Sequence, residues 1–137
     1  MNGLKIIIAF ICGFMIAQAI KFLIALIKGK KDVWKYLVKS GDMPSGHAAS
    51  LVSATTFLGF SEGIDSSLFA LAVCVTAIVL YDAMNVRYVV GEQGKALNKL
   101  IPKPIRIAEG HTLLEVSVGT ILGFIIGATV FYVCSNF

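Results

Sequence analysis

The 137-residue chain contains two histidines, and each lies in a short polar motif beside a long apolar run. The first motif is Asp42-Met43-Pro44-Ser45-Gly46-His47. Pro44 suits the first turn of a helix, where its missing N–H would have had no partner, so Asp42 or Met43 is the expected cap. The N–H groups of Ser45, Gly46 and His47 would then form a positive helix end of the kind that attracts phosphate. Ser45 adds a hydroxyl donor, Gly46 permits close approach, and His47 can exchange a proton near neutral pH. An ordinary helix start with a surface histidine fits the same residues. The second motif is Gly110-His111-Thr112-Leu113-Leu114-Glu115. His111 and Glu115 are spaced i,i+4 and share one helix face. A carboxylate there fixes the imidazole tautomer and raises the basicity of its far nitrogen, although a capping or packing pair would look alike. The third motif, Tyr81-Asp82-Ala83-Met84-Asn85-Val86-Arg87, sets Asp82 against the dipole of a helix C-terminus. A nearby cation or the loop backbone is its expected partner. Arg87 could grip an oxyanion bidentately or anchor at lipid headgroups.

The elements that must position these groups are membrane helices. Hydrophobic residues make up 57% of the chain and charged residues 15%, with a mean hydropathy of +0.84. A soluble domain is about 45–50% apolar and about 25% charged. That excludes a disordered chain and a nucleic-acid-binding tail, so no nucleic-acid partner is expected despite the net charge of +4. Four apolar segments stand out: Leu4 to Ile27, Pro44 to Phe60, Ser67 to Tyr81 and Thr112 to Val133. The second and third are near or below spanning length, so tilt or burial is expected. The polar turn from Ser61 to Ser66 joins them as a helical hairpin. Cys12, Cys74 and Cys134 fall at wide spacing in apolar stretches, which predicts small packing residues and no metal site.

In the connector from Asp82 to Gly110, the breakers are Gly91, Gly94, Pro102 and Pro104. Glu92 to Ile101 reads either as a short amphipathic helix on the membrane surface or as a solvated basic link. The N-terminal run, with Lys5 and Ala17-Gln18-Ala19, resembles a cleavable signal peptide, but the apolar stretch resumes at Phe22, which favours a retained helix.

Sidedness follows from the cations. Lys28, Lys30, Lys31, Lys35 and Lys39 lie between segments one and two. Arg87, Lys95, Lys99, Lys103 and Arg106 lie between three and four. The positive-inside rule puts both loops in the cytoplasm and both termini outside, with Lys21 snorkelling toward the inner surface. Two crossings separate the first motif from the third, and none separates the third from the second. All three therefore meet on one face of the membrane. Stepping by fours from Glu115 gives Gly119, Gly123 and Gly127, a small-residue face for close helix contact. The same glycines could serve a homodimer. Two histidines, a paired carboxylate, an anion-binding helix start and several cations fit phosphate chemistry better than any other reaction class.

The motifs GDMPSGHAAS, SEGIDSSLFALA, VLYDAMNVR and EGHTLLEVSVGTILG, in this order from about Gly41 to Gly123, resemble the small divergent branch of the type 2 phosphatidic acid phosphatase (PAP2) and vanadium haloperoxidase superfamily. The resemblance implies that His111 attacks phosphorus to form a phosphohistidine. It makes Glu115 the residue that orients His111, with Glu in place of the usual Asp, and His47 the acid that protonates the leaving alcohol. Ser45 and Gly46 would help to bind the phosphoryl oxygens. The superfamily's first signature, a lysine followed seven residues later by Arg-Pro, is absent; Lys35 or Lys39 could replace its charge. Arg106 stands five residues before His111 where the third signature has an arginine six before, an offset of about 100° on a helix. Arg87 is therefore the preferred phosphate clamp.

The sequence thus predicts one all-α membrane domain over residues 1–137, with four transmembrane helices and room for a fifth, short interfacial one. The expected activity is metal-independent and cofactor-free hydrolysis of a lipid phosphate monoester at the cytoplasmic face of the inner membrane. The resemblance favours phosphatidylglycerophosphate or phosphatidate as substrate. The alternatives are a polyprenyl pyrophosphate phosphatase, a non-catalytic protein binding anionic headgroups, and, least favoured, a vanadate-dependent haloperoxidase.

Overall fold

The computed structural model describes residues 2–31, 33–34, 42–105, 107 and 110–136. Lys35, Lys39 and Arg106 lie outside them. The described chain is all-α, in the order α1 (Asn2–Ile27), α2 (Gly46–Glu62), α3 (Ser67–Met84), α4 (Val86–Asn98) and α5 (Leu113–Asn136). Three helical stretches are long and apolar enough to cross a membrane: Gly3–Ile27, Ser67–Asn98 and Leu113–Asn136. At 1.5 Å per residue, α1 and α5 exceed a hydrocarbon core of about 30 Å. The 17 residues of α2 reach only about 25 Å, and this helix is packed between α1 and α5.

Small residues explain how α2 occupies that place. Along α5, Gly119, Gly123 and Gly127 face Ser45, Ala49 and Ser53 of the α2 strip in a parallel register. On the other side Gly13 of α1 meets Ala49, and Ser53 Oγ donates a 2.8 Å hydrogen bond to the carbonyl of Ala9, an antiparallel register. A Cβ on Gly123 would stand 2.6 Å from the Ala49 carbonyl oxygen, so backbones touch where a bilayer offers no hydrophobic drive between helices. The α5 glycine face is therefore covered by α2 of the same chain, and a homodimer built through it would have to displace that helix. Toward the far end Thr55 and Thr76 hydroxyls pair at 2.8 Å between α2 and α3, and Phe131 packs against Phe57 and Phe60.

Two local expectations need correction. Helix α2 begins at Gly46, not Pro44, and its cap is Ser45, whose Oγ accepts from the Ala48 N–H at 3.3 Å. Serine is a strong cap in its own right, and its N–H is drawn out of the helix by the Glu115 carbonyl at 3.2 Å. The connector also forms more helix than either reading of it allowed. Helix α4 starts at Val86, separated from α3 only by Asn85. Gly91 and Gly94 do not break it: Gly91 is buried, and at Gly94 the Ile107 side chain comes within 3.0 Å of where a Cβ would stand. Neither glycine ends the helix.

Candidate active site

The N-terminal ends of α2 and α5 meet the C-terminal ends of α1 and α3, and the polar motifs meet there. Residue 111 is fixed before α5 begins: its N–H donates to the Ala83 carbonyl at 3.0 Å, tying it to the end of α3. Gly110 is required at this step, because a Cβ there would run into the backbone of Arg87 and Tyr88. The first turn of α5 is a reciprocal capping box. Glu115 N–H donates to Thr112 Oγ1 at 3.3 Å, and Thr112 N–H donates to Glu115 Oε2 at 3.0 Å. The same Oε2 accepts from His111 Nδ1 at 3.2 Å. One carboxylate therefore both caps the helix and orients the imidazole, so the two readings of the pair are compatible. With Nδ1 committed as donor, Nε2 of His111 carries the lone pair.

The His111 side chain is 2% exposed. Burial pushes its pKa below the ordinary histidine value, the Lys21 charge adds to this, and the Glu115 hydrogen bond and charge oppose it. The net direction keeps the ring neutral near pH 7. His47, in the first turn of α2, lies edge-on to it, with ring centroids 6.1 Å apart. A nitrogen poised for attack stands about 3–3.5 Å from its target, and a general acid about 2.6–3.2 Å from the oxygen it protonates. Both rings are within reach of a single phosphoryl group. Beside them an open cleft of about 460 Å³ is lined by Met84, Asn85, Tyr88, His111, Thr112 and Leu113. Leu113, 71% exposed, adds apolar surface to it.

Around this pair stand the remaining candidates. Ser45 is fully buried, its hydroxyl and N–H engaged as the cap and with Glu115. Gly46 is buried too, and its N–H and that of His47, at the helix start, have no carbonyl one turn earlier to bond within the helix. Asp82 finds the cation its position called for: Arg87 Nε donates to its Oδ2 at 2.6 Å, with both side chains partly exposed. The charges of Arg87 and Asp82 are felt at His47.

Matched against known families, residues 3–126 fit the Divergent PAP2 family. The chain belongs to that family. It is also 36% identical over 91 residues to the uncharacterized membrane protein YuiD of Bacillus subtilis (strain 168), a match covering 66% of this chain and 58% of that protein. The matched segment is thus little more than half of its relative. No solved structure matches. Membership makes this a membrane protein related to phosphatases.

Sequence reasoning misread one side chain of this divergent PAP2 chain. Lys21, expected to snorkel toward the inner surface, is only 4% exposed. It lies on the α1 stripe Ala9, Gly13, Ala17, Lys21, Ala25, all spaced by four and all buried, so the helix turns it inward with the packing face. That spacing was available in the sequence. A lone lysine among small residues on a contact face was the signal.

Proposed function

We propose that the chain is a metal-independent phosphatase acting on a lipid phosphate monoester, with phosphatidylglycerophosphate or phosphatidate the favoured substrates. The observation that carries this reading is the facing imidazole pair, one ring of which has its Nδ1 tied to a carboxylate. Anionic headgroup binding needs neither an oriented imidazole nor a second one opposite it.

In the first step the Nε2 lone pair of His111 forms a bond to phosphorus. The bond between phosphorus and the lipid oxygen breaks, and the leaving alkoxide takes a proton from the His47 imidazolium. Glu115 stabilises the positive charge gained by the His111 ring. In the second step a water, losing a proton to neutral His47, attacks phosphorus. The P–N bond breaks, its electron pair returns to Nε2, and inorganic phosphate leaves. The helix start at Gly46 and His47 and the nearby guanidinium of Arg87 offset the charge on the equatorial oxygens, so the scheme calls for no metal ion. The positive-inside rule applied to the basic loops supports a site at the cytoplasmic leaflet of the inner membrane, with the termini outside.

The purified protein, given phosphatidylglycerophosphate or phosphatidate in mixed micelles, should release phosphate. His111→Ala should abolish release, because the nucleophile is gone. Undiminished release by that variant would remove the assignment, and binding without release by the wild type would favour the headgroup-binding alternative.

A further inference from the structure

We propose that α4 is a membrane-surface helix: its apolar face lies in an anionic lipid leaflet, and the cations beside it hold the headgroups. This does not depend on the phosphatase reading. It assigns a partner to a face that the site leaves unused.

The faces of α4 are set by what covers them. Val86, Val89, Val90 and Leu97 fall on one side of the helix, with Gln93 the polar residue among them, and are between 45% and 55% exposed. Leu100, just past the helix end, is exposed as well. The side turned away from them is occupied by the returning chain. Asn98 Nδ2 donates to the Ile105 carbonyl at 3.0 Å, and Asn98 Oδ1 accepts from the Ile105 N–H at 2.9 Å. The Ile107 side chain lies over Gly94, and Gly110 runs against Tyr88. Gly91, between them, is buried. Ile105, Ile107 and Gly110 thus descend one face of α4 and leave the valine face outward.

Length and charge decide what covers that face. Run together, Ser67–Asn98 makes 32 residues of helix, about 48 Å, against a hydrocarbon core of about 30 Å. The first part, α3, suits the core, because its one charged residue is Asp82, near its end. The surplus is α4, which adds Arg87, Glu92 and Lys95, charges that hydrocarbon penalises. At Asn85 the backbone, with φ −112° and ψ −74°, leaves regular helix values, so the chain has a place to turn. Upright in water, α4 would hold its valine face against solvent; lying flat, it buries that face at the acyl boundary. The surface is also continuous with α3. Leu71, Val75 and Ile78 are exposed there, and stepping on by threes and fours through Asp82 reaches Val86 and Val89. From Val86 to Ile105, Arg87, Lys95, Lys99 and Lys103 stand against Glu92 alone, and such a basic stretch complements anionic headgroups. Asn85 and Tyr88 line the cleft beside His111, so a flat α4 sets that cleft at headgroup level.

The test uses the full-length protein in vesicles, with Trp34, the one tryptophan, changed to Phe. Val89→Trp and Leu97→Trp then report on the apolar face, and Lys99→Trp on the other. Phosphatidylglycerol brominated along its acyl chains should quench the first two at least about twofold more than the third, and aqueous acrylamide should quench the third more. In vesicles of brominated phosphatidylcholine alone, quenching of Val89→Trp should fall by about half. Should the Trp variants fail to fold, nitroxide-labelled cysteines at the same positions, with Cys12, Cys74 and Cys134 changed to Ala, give the same comparison through collision with oxygen and with a water-soluble nickel chelate. Acrylamide reaching both faces equally would overturn the proposal by putting α4 in water. Val89→Trp and Leu97→Trp shielded from both quenchers would overturn it in favour of a second copy or another protein. Quenching unchanged in phosphatidylcholine would overturn the role given to the cations.

Discussion

At the scale of single residues, Glu115 does two separable things. Its Oε2 accepts from both the Thr112 N–H and His111 Nδ1, and glutamine is also accepted in a capping box. Glu115→Gln should therefore leave thermal stability nearly unchanged while lowering turnover by a hundredfold or more, because the developing imidazolium loses its counter-charge. The pH profile gives the sign. His111 must be neutral to attack, and burial lowers its pKa from 6.5 while Glu115 raises it. The wild-type acid limb of kcat/KM should lie below pH 6.5. In Glu115→Gln it should move lower still, since the opposing influence is gone. An acid limb that moves upward would contradict the Nδ1–carboxylate geometry. The pairing of these two residues was legible from their spacing. Lys21 was not, because a lysine near the end of an apolar run reads as a snorkelling residue until its neighbours four apart are seen to be small. The role of Ser45 was half legible: its place at the start of α2 could be read, but the loss of its N–H to Glu115 depends on α5, far along the chain.

At the scale of elements, the sequence placed α2 but not its neighbours. Its apolar length, near or below that of a span, predicted tilt or burial, and the structure makes it the shared neighbour of α1, α3 and α5. That role depends on glycines in other helices, which hydropathy cannot report. A substitution at the α5 contact should be felt through the whole bundle. Gly123→Leu would drive its side chain into the Ala49 carbonyl and Val52; it should cost about 1–3 kcal/mol or more and lower the Tm in micelles by several degrees. Gly3→Ala, where nothing stands within 4 Å, should leave the Tm unchanged or slightly raised. Equal behaviour of the two variants would contradict the backbone-close packing of α2 on α5. The α4 boundary shows a plainer failure, with Gly91 and Gly94 read as breakers when the helix runs through both, Gly91 buried and Gly94 closely approached by Ile107.

Across the whole molecule, the order of the helices does what no single motif does. With α1 and α3 running against α2 and α5, two helix beginnings and two helix ends share one face, which brings Lys21, Asp82, His47 and His111 to one end from four parts of the chain. Counting crossings in the sequence gave that convergence without any distance. Membership of the Divergent PAP2 family over residues 3–126 agrees with it and extends the resemblance into α1. The central claim is that His111 becomes covalently phosphorylated, and rapid quenching of the protein with phosphate-labelled phosphatidate tests it most directly. The expected result is an acid-labile, alkali-stable label on a peptide containing His111 in the wild type, absent from His111→Ala. Turnover by the wild type with no labelled intermediate, or a label that persists in His111→Ala, would contradict it.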